Sequence, residues 1–546
     1  MASTRIDAGR EEVAASTGGA SQGSSQEGPA QASRAPTPAG ARIGTDWAAS
    51  DEPDGSPRQA VVLIHGLGDQ PPMRSLRSFT VGIGLPRLFS SPDRVTDSTE
   101  LRRLSEPPTP HLRAHTDFFE LYWAHLAPDA DLRTSLSWGL QLLLSRRWWS
   151  VGGAAARLVI AFQIAMAVLA ALLLWGLVDA IVSGGLPGLR ELLATWQVWL
   201  ALALAVGGGF MGRLVRAYLS DAVRYLAPRP ANIESRRRIR EEGLTLLRRL
   251  HAGRYERIII VGHSLGTVIG LDLVRSLWDE LRHPDPCRAG DQAYAAVFDE
   301  ACDRLDPGGP ADGAQPVPAV STAELDAFQA AQFDLWRAGR AAGVPWLISD
   351  FVSTGSPLTY APLLLDEADV PFGGRPGLTL ADLQNRKEVP RCPPIHDELE
   401  DSRFYRRRYR YPGGERWLRV GHTAAPFGPT RWTNLYLPAG SVLRGDFFGG
   451  PIARHFGAGV RDVPVAVTSH GRWSGLRRHF PLAHLSYWWA PGGGPPAMPD
   501  PVPLPSASGA APVDAPDTIA ALVSALRLDD IQRVPAPGPD AREQPP

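Results

Sequence analysis

Cysteine is nearly absent: Cys287, Cys302 and Cys392 are the three in 546 residues. So few exclude a disulfide-built scaffold, and none sits at a Cys/His spacing that would hold zinc. They fit a reducing compartment. Excess charge is missing too, with 56 Lys+Arg against 57 Asp+Glu and a formal net charge of −1. That balance argues against a nucleic-acid binder that works through its overall field. Lysine is all but missing, since Lys387 is the single one and arginine carries the positive charge. Residues 1–57 lack both apolar periodicity and the apolar core of a secretory leader, and read as a disordered Ala/Ser/Gly/Pro/Gln-rich tail.

Proline and glycine, by contrast, are plentiful at 51 and 55 residues, proline at roughly twice its average share. Such an excess belongs in tails and loops. Residues 491–546 read as a Pro-rich C-terminal tail broken by one short amphipathic helix at 517–528. The folded body is expected at 58–490, and 44% hydrophobic residues suffice for a sizeable core there.

Within that body, residues 60–64, 257–261, 346–352 and 463–467 are continuous apolar runs bounded by turn residues. Runs of this kind predict strands buried on both faces, as in a parallel sheet. Helical patterns separate them, so the expected class is α/β.

Two stretches differ in kind. Residues 158–178 and 192–212 are each 21 residues with almost no polar interruption, and about 20 apolar residues cross a bilayer. Arg146, Arg147 and Arg157 precede the pair, and Arg213, Arg216 and Arg224 follow it. The positive-inside bias therefore predicts a transmembrane hairpin over 158–212 with both flanks cytoplasmic and the short link outside. A buried helical hairpin, or an apolar lid over a soluble site, would have the same composition. Residues 283–345 read as an insertion ending in a helix at 322–340, either a cap over an active site or a plain surface element.

The chemistry centres on Gly262-His263-Ser264-Leu265-Gly266, a G-x-S-x-G pattern. Its glycines suit a cramped strand-to-helix turn that exposes the serine. Gly19-Ala20-Ser21-Gln22-Gly23 matches as well, but only Ser264 follows a predicted strand and precedes an apolar helix. A serine nucleophile needs a base and oxyanion donors. His65-Gly66-Leu67-Gly68, directly after a strand, can aim the Leu67 N–H at a developing charge, and the Leu265 N–H would be the second donor.

With these motifs the chain resembles an α/β-hydrolase, HGLG following the third strand of that fold and GHSLG the fifth. More narrowly it is similar to bacterial lipase/esterase-like serine hydrolases. The shared blocks are Asp350-Phe351 through Gly355-Ser356-Pro357-Leu358, Arg431-Trp432-Thr433-Asn434-Leu435-Tyr436, and His484-Leu485-Ser486-Tyr487-Trp488. The resemblance implies a mostly parallel sheet flanked by helices, with the hairpin and a cap-like insertion added. It also implies the order Ser, acid, His along the chain. Asp446 is the best match for the acid, with Asp462 its rival. His484 is the base by its block, ahead of His470 and His479. His65 and His263 are expected to shape the site, and His422 has no assigned role.

The expected function is ester cleavage through Ser264, Asp446 and His484 at the bacterial inner membrane. The catalytic domain would be cytoplasmic, without metal or organic cofactor, and lipid or other apolar acyl esters are the substrates this placement favours. Acyl transfer, thioester cleavage and amide cleavage use the same triad, and a non-catalytic scaffold is a separate alternative. Phe404–Tyr411 interleaves aromatics with four arginines. It reads as the wet face of an edge strand rather than a nucleic-acid or anionic-lipid site, and Arg236-Arg237-Arg238 is read with the same caution.

Overall fold

The computed structural model describes most of residues 57–533. The longer stretches outside the described residues are 1–56, 127–143, 183–224, 307–319, 367–376, 468–477, 489–496, 506–514 and 534–546, with shorter ones that include 67–70 and 441–443.

Strand β1 (Arg58–Ile64) carries the first apolar run and is buried at every position. Helix α1 (Arg74–Gly82) follows, then β2 (Phe89–Pro92), β3 (Arg102–Glu106) and β4 (His115–Leu121). Helices α2 (Ala154–Val182) and α3 (Pro230–Ala252) precede β5 (Arg257–His263) and α4 (Leu265–Leu281). Helices α5 (Ala293–Leu305) and α6 (Thr322–Ala341) lead into β6 (Ile348–Thr354). β7 (Phe404–Tyr411) and β8 (Gly414–Gly421) pair, among the described residues, only with each other. β9 (Arg431–Tyr436), β10 (Arg461–Pro464) and α7 (Thr518–Leu526) complete the order.

Among the described residues, eight strands form one sheet in the order β10-β9-β6-β5-β1-β4-β3-β2. The six from β10 to β4 are parallel, and β3 and β2 add an antiparallel edge. The α/β class is therefore as expected, with a mostly parallel sheet flanked by helices. Its four predicted strands are all present. The order of strands is not the expected one, however. The His65-Gly66 turn follows β1, first in chain order among the described residues, rather than a third strand. The antiparallel pair comes later in the chain and lies beyond β4.

Two expected boundaries are also corrected. The helix at 518–526 is no excursion in a tail: Ala521, Leu522, Ala525 and Leu526 are fully buried and share one core cluster with Leu76 and Phe79 of α1. Asp517 caps it, its carboxylate accepting the Ile519 N–H at 3.0 Å. Helix α6 is likewise neither a cap nor a surface insertion. It buries Leu325, Phe328, Phe333 and Trp336, and Gln332 Nε2 donates to the Phe427 and Thr430 carbonyls at 2.7 and 3.1 Å. Those carbonyls precede β9, so α6 packs at the amino end of the strand, as the layer helix that leads into β6.

Helix α2 runs 29 residues, and its 156–176 portion is long and apolar enough to cross a membrane. Its apolar side chains face outward; Trp175 is 74% and Val182 80% exposed. Its root is covered, where Ala156 packs with Trp148 and Tyr360, and Leu169 is buried further along it. The second expected span, 192–212, lies outside the described residues, as does the expected N-terminal tail up to residue 56. The Arg/Tyr run forms a strand as expected, and Arg406, Arg407, Arg408 and Arg410 are exposed along β7.

Candidate active site

The carboxyl ends of parallel strands leave a crevice in which ligands and catalytic groups collect. Here the ends of β1, β5, β6 and β9 supply the candidate residues. β5 stops at His263, and Ser264 makes the turn into α4 with φ 52° and ψ −126°. A non-glycine residue in such a conformation costs on the order of 1–3 kcal/mol, so the surrounding packing must hold it there. It does so with glycines: a Cβ on Gly266 would lie 2.2 Å from the Ile64 carbonyl oxygen, and one on Gly262 2.8 Å from that of Gly266. Hydrogen bonds add to the hold. Ser264 N–H donates to Thr354 O at 3.0 Å, and Thr267 Oγ1 donates to Ser264 O at 2.7 Å.

The turn after β1 touches this elbow. A Cβ on Gly66 would meet Ser264 Cβ at 2.8 Å. His65 is buried beneath it, stacked on Trp123 with ring centroids 5.1 Å apart. Its Nδ1–H donates to Gly66 O at 2.8 Å, and its Nε2 faces the Trp123 N–H at 3.4 Å. Burial brings its pKa down to about 4, so the ring is neutral and shapes the turn. Leu67, the first expected oxyanion donor, lies outside the described residues. Leu265, the second, opens α4, where an amide has no intrahelical acceptor. Its N–H makes no hydrogen bond among the described residues.

Asp446 follows β9 and is fully buried. His484 Nδ1 stands 2.9 and 3.0 Å from its two carboxylate oxygens. A carboxylate can only accept, so Nδ1 carries the proton and Nε2 keeps a lone pair for a base's work. Burial would push the Asp446 carboxyl up, yet the His484 ring, with hydrogen bonds from His484, Tyr487 and the Gly449 N–H, holds it below its ordinary value. Phe448 N–H also donates to Oδ1, at 2.9 Å.

The rival residues have other partners. Asp462 accepts the Ile452 and Ala453 N–H groups at 2.9 and 2.8 Å and the Asn434 amide at 2.7 Å. It thus caps the helical turn Ala453–Phe456, and burial raises it to about 6 despite those bonds. His479 is exposed and bridged to the Arg444 backbone, while His470 lies outside the described residues. His422 pins a loop, its Nε2–H donating to Ile395 O at 3.1 Å and its Nδ1 accepting the Ala424 N–H.

His263 ties the elbow to the base. Its Nε2–H donates to His484 O at 2.9 Å, the two rings lie 4.9 Å apart, and Trp488 packs edge-on at 5.0 Å. Burial and the neighbouring His484 lower it to about 3. Gly355, at the end of β6, closes the group: a Cβ there would fall 3.1 Å from Asp446 Oδ2 and 3.2 Å from His484 Cε1. Ser264 Oγ itself makes no hydrogen bond among the described residues; in enzymes without substrate, catalytic hydrogen bonds are often long.

One residue was quoted in the sequence without a role. Tyr487 Oη donates to Asp446 Oδ2 at 2.8 Å and accepts the Leu437 N–H at 3.1 Å. It therefore fixes the acid against the end of β9. Tyr487→Phe removes one hydrogen bond to the carboxylate and leaves a buried N–H unpaired. On the ester cleavage that the sequence resemblance implies, the expected result is a fall of about 10-fold in kcat, equal to about 1.4 kcal/mol, with KM little changed. An unchanged kcat would show that Asp446 is held without it. No family model, curated protein sequence or solved structure matches the chain.

Proposed function

We propose that the protein is a membrane-anchored serine hydrolase of the α/β-hydrolase kind that cleaves carboxylic esters. Ser264 is the nucleophile, His484 the base and Asp446 the acid that orients it. The observation that carries this reading is the costly backbone of Ser264, held at a strand-to-helix turn beside a buried His484–Asp446 pair. The sheet agrees with it, six parallel strands with an antiparallel pair at one edge. The early position of the His65-Gly66 turn in the chain is a departure from the resemblance.

In the reaction, His484 Nε2 takes the Ser264 proton as Oγ attacks the acyl carbonyl. The oxyanion of the tetrahedral intermediate is held by the Leu265 N–H and, on the sequence reading, by that of Leu67. The intermediate collapses to the acyl-enzyme, and the imidazolium returns its proton to the leaving alkoxide. Water then repeats the sequence, with the acid released and Ser264 restored.

The substrate side of the proposal follows from α2. Its outward residues Leu174, Trp175, Val178, Ile181 and Val182 are 51–80% exposed. Each fully buried apolar side chain is worth about 1.5–3 kcal/mol, so a bilayer around these five is worth on the order of 10 kcal/mol. With 192–212 as its return span, α2 would form a two-pass anchor with both flanks cytoplasmic. The root of α2 touches Tyr360, whose Oη donates to Phe447 O at 2.6 Å, one residue from the acid. An acyl ester drawn from the membrane would thus meet the site near its point of anchorage.

The test is pre-steady-state hydrolysis of p-nitrophenyl butyrate by the detergent-solubilised full chain. A burst of p-nitrophenol equal to the enzyme concentration is expected, followed by slower turnover. Folded protein that gives neither burst nor turnover with this or longer acyl esters would overturn the proposal.

A further inference from the structure

A second cleft lies away from Ser264. It lies between the carboxyl ends of α4 and α6 and the strand β8, and spans about 560 Å³ when the open solvent at its mouth is counted. Trp278 of α4 lines it, 14 residues after Ser264. At about 1.5 Å of rise per helical residue that is roughly 20 Å from the nucleophile. The cleft is therefore a separate site, and nothing in the proposed mechanism uses it.

Its lining is apolar and aromatic, with arginine as the charged component; no Asp or Glu lines it among the described residues. Three tryptophans line it, and two of them, Trp278 and Trp346, meet edge-on with ring centroids 5.2 Å apart. Trp278 Nε1–H donates to His422 O and Trp346 Nε1–H to Thr430 Oγ1, both at 2.9 Å. Trp336 is 1% exposed and stacks on Phe333, and its Nε1–H has no partner among the described residues. Buried polar groups are nearly always hydrogen-bonded, so an indole N–H left over in the wall of this cleft points to an acceptor from outside.

The arginines divide in the same way. Arg282 is paired with Asp279, and Arg403 with Asp299 and Asp303. Arg340 donates to Val344 O at 3.0 Å but has no carboxylate within ion-pair distance among the described residues. Burial, and the neighbouring Arg288, work against its charge, with Glu256 opposing them. Arg419 stands exposed at the mouth, its side chain likewise without an acid among the described residues.

We propose that this cleft binds a small aromatic or aliphatic carboxylate. Its apolar body would lie among the tryptophans, and its carboxylate would take Arg340, with the Trp336 N–H and Arg419 as further donors. Guanidinium and carboxylate match as a planar pair, and apolar walls with a few converging donors are the usual makeup of a ligand pocket. The proposal is independent of the hydrolase reading.

Isothermal titration of the detergent-solubilised full chain with 2-naphthylacetate, and with its uncharged amide, tests it. Saturable binding of the acid is expected, weakened at least tenfold in Arg340→Gln and several-fold in Trp336→Phe, with the amide binding at least tenfold more weakly. Arg419→Gln alters only an exposed side chain, so it keeps the test valid should a core variant fail to fold; a several-fold loss is expected there. No saturable binding by the wild type, an amide that binds as tightly as the acid, or affinity unchanged in Arg340→Gln or in Arg419→Gln would overturn the proposal.

Discussion

Asp446→Asn lowers kcat for ester hydrolysis by about 10⁴-fold, because an amide in place of the carboxylate offers His484 Nδ1 a donor or a weaker acceptor and favours the wrong tautomer. The size of the effect follows from the geometry. Both carboxylate oxygens lie within 3.0 Å of Nδ1 in a fully buried setting, and no other acid among the described residues reaches that ring. Asp462→Asn is the matching control. Its carboxylate caps a helical turn and touches neither histidine of the site, so kcat should stay within a few-fold while stability falls by about 1 kcal/mol. Initial rates with p-nitrophenyl butyrate, beside thermal melts, separate the two. Equal losses of rate in both variants would mean that the acid has been misassigned.

Asp350→Asn is expected to produce the largest loss of stability, about 3–5 kcal/mol, since removing one member of a buried ion cluster strands the charges that remain. Three guanidiniums meet at this carboxylate. Arg257 Nη2 is 2.6 Å from Oδ2, Arg431 forks onto both oxygens at 2.8 and 2.9 Å, and Arg527 Nη1 is 3.1 Å from Oδ1. Arg257 also donates to the Arg527 carbonyl at 2.7 Å, which locks the end of α7 to the sheet. Burial would raise the Asp350 carboxyl; Arg431, Arg257 and Arg527 overcome it and hold the group far below the carboxylate range. Its folded-state pKa is thus depressed, so its stabilisation is complete above the unfolded value of about 3.9 and is lost as the pH falls below that toward the folded value. Urea unfolding at pH 7 reads the difference between wild type and variant. An exposed pair such as Arg237–Glu241, with side chains 60% and 57% accessible, should contribute little, because solvent and salt screen it. A loss that small for Asp350→Asn would contradict the cluster's role.

These two residues mark how far the sequence could be read. The nucleophile, base and acid candidates were legible because a strand-borne G-x-S-x-G and a short His-x-x-Tyr-Trp block are local patterns. β1, β5, β6 and β10 were legible because unbroken apolar runs have few alternatives. β4 was not. Its sequence His115-Thr116-Asp117-Phe118-Phe119-Glu120-Leu121 hides a strand buried at every position, because Asp117 is satisfied from a distance. Ser105 Oγ donates to it at 2.5 Å and Tyr255 Oη at 2.7 Å. The same holds for the C-terminal helix. Proline on its flanks suggested a tail, while its burial depends on α1 and on Arg257, hundreds of residues away in the chain. Tyr487 stood in a quoted block, yet its bond to Asp446 spans 41 residues and no local pattern announces it. Polar contacts of long range, rather than apolar periodicity, are what local reading leaves out.

The most direct measurement is reaction of the purified full chain with a fluorophosphonate probe, with the labelled peptide identified by mass spectrometry. A single adduct on Ser264 is predicted, absent in Ser264→Ala and strongly slowed in His484→Ala while both variants keep the wild-type melting curve. Labelling that persists in folded Ser264→Ala, or folded wild-type protein that takes no label at all, would contradict the claim that Ser264 is an activated nucleophile.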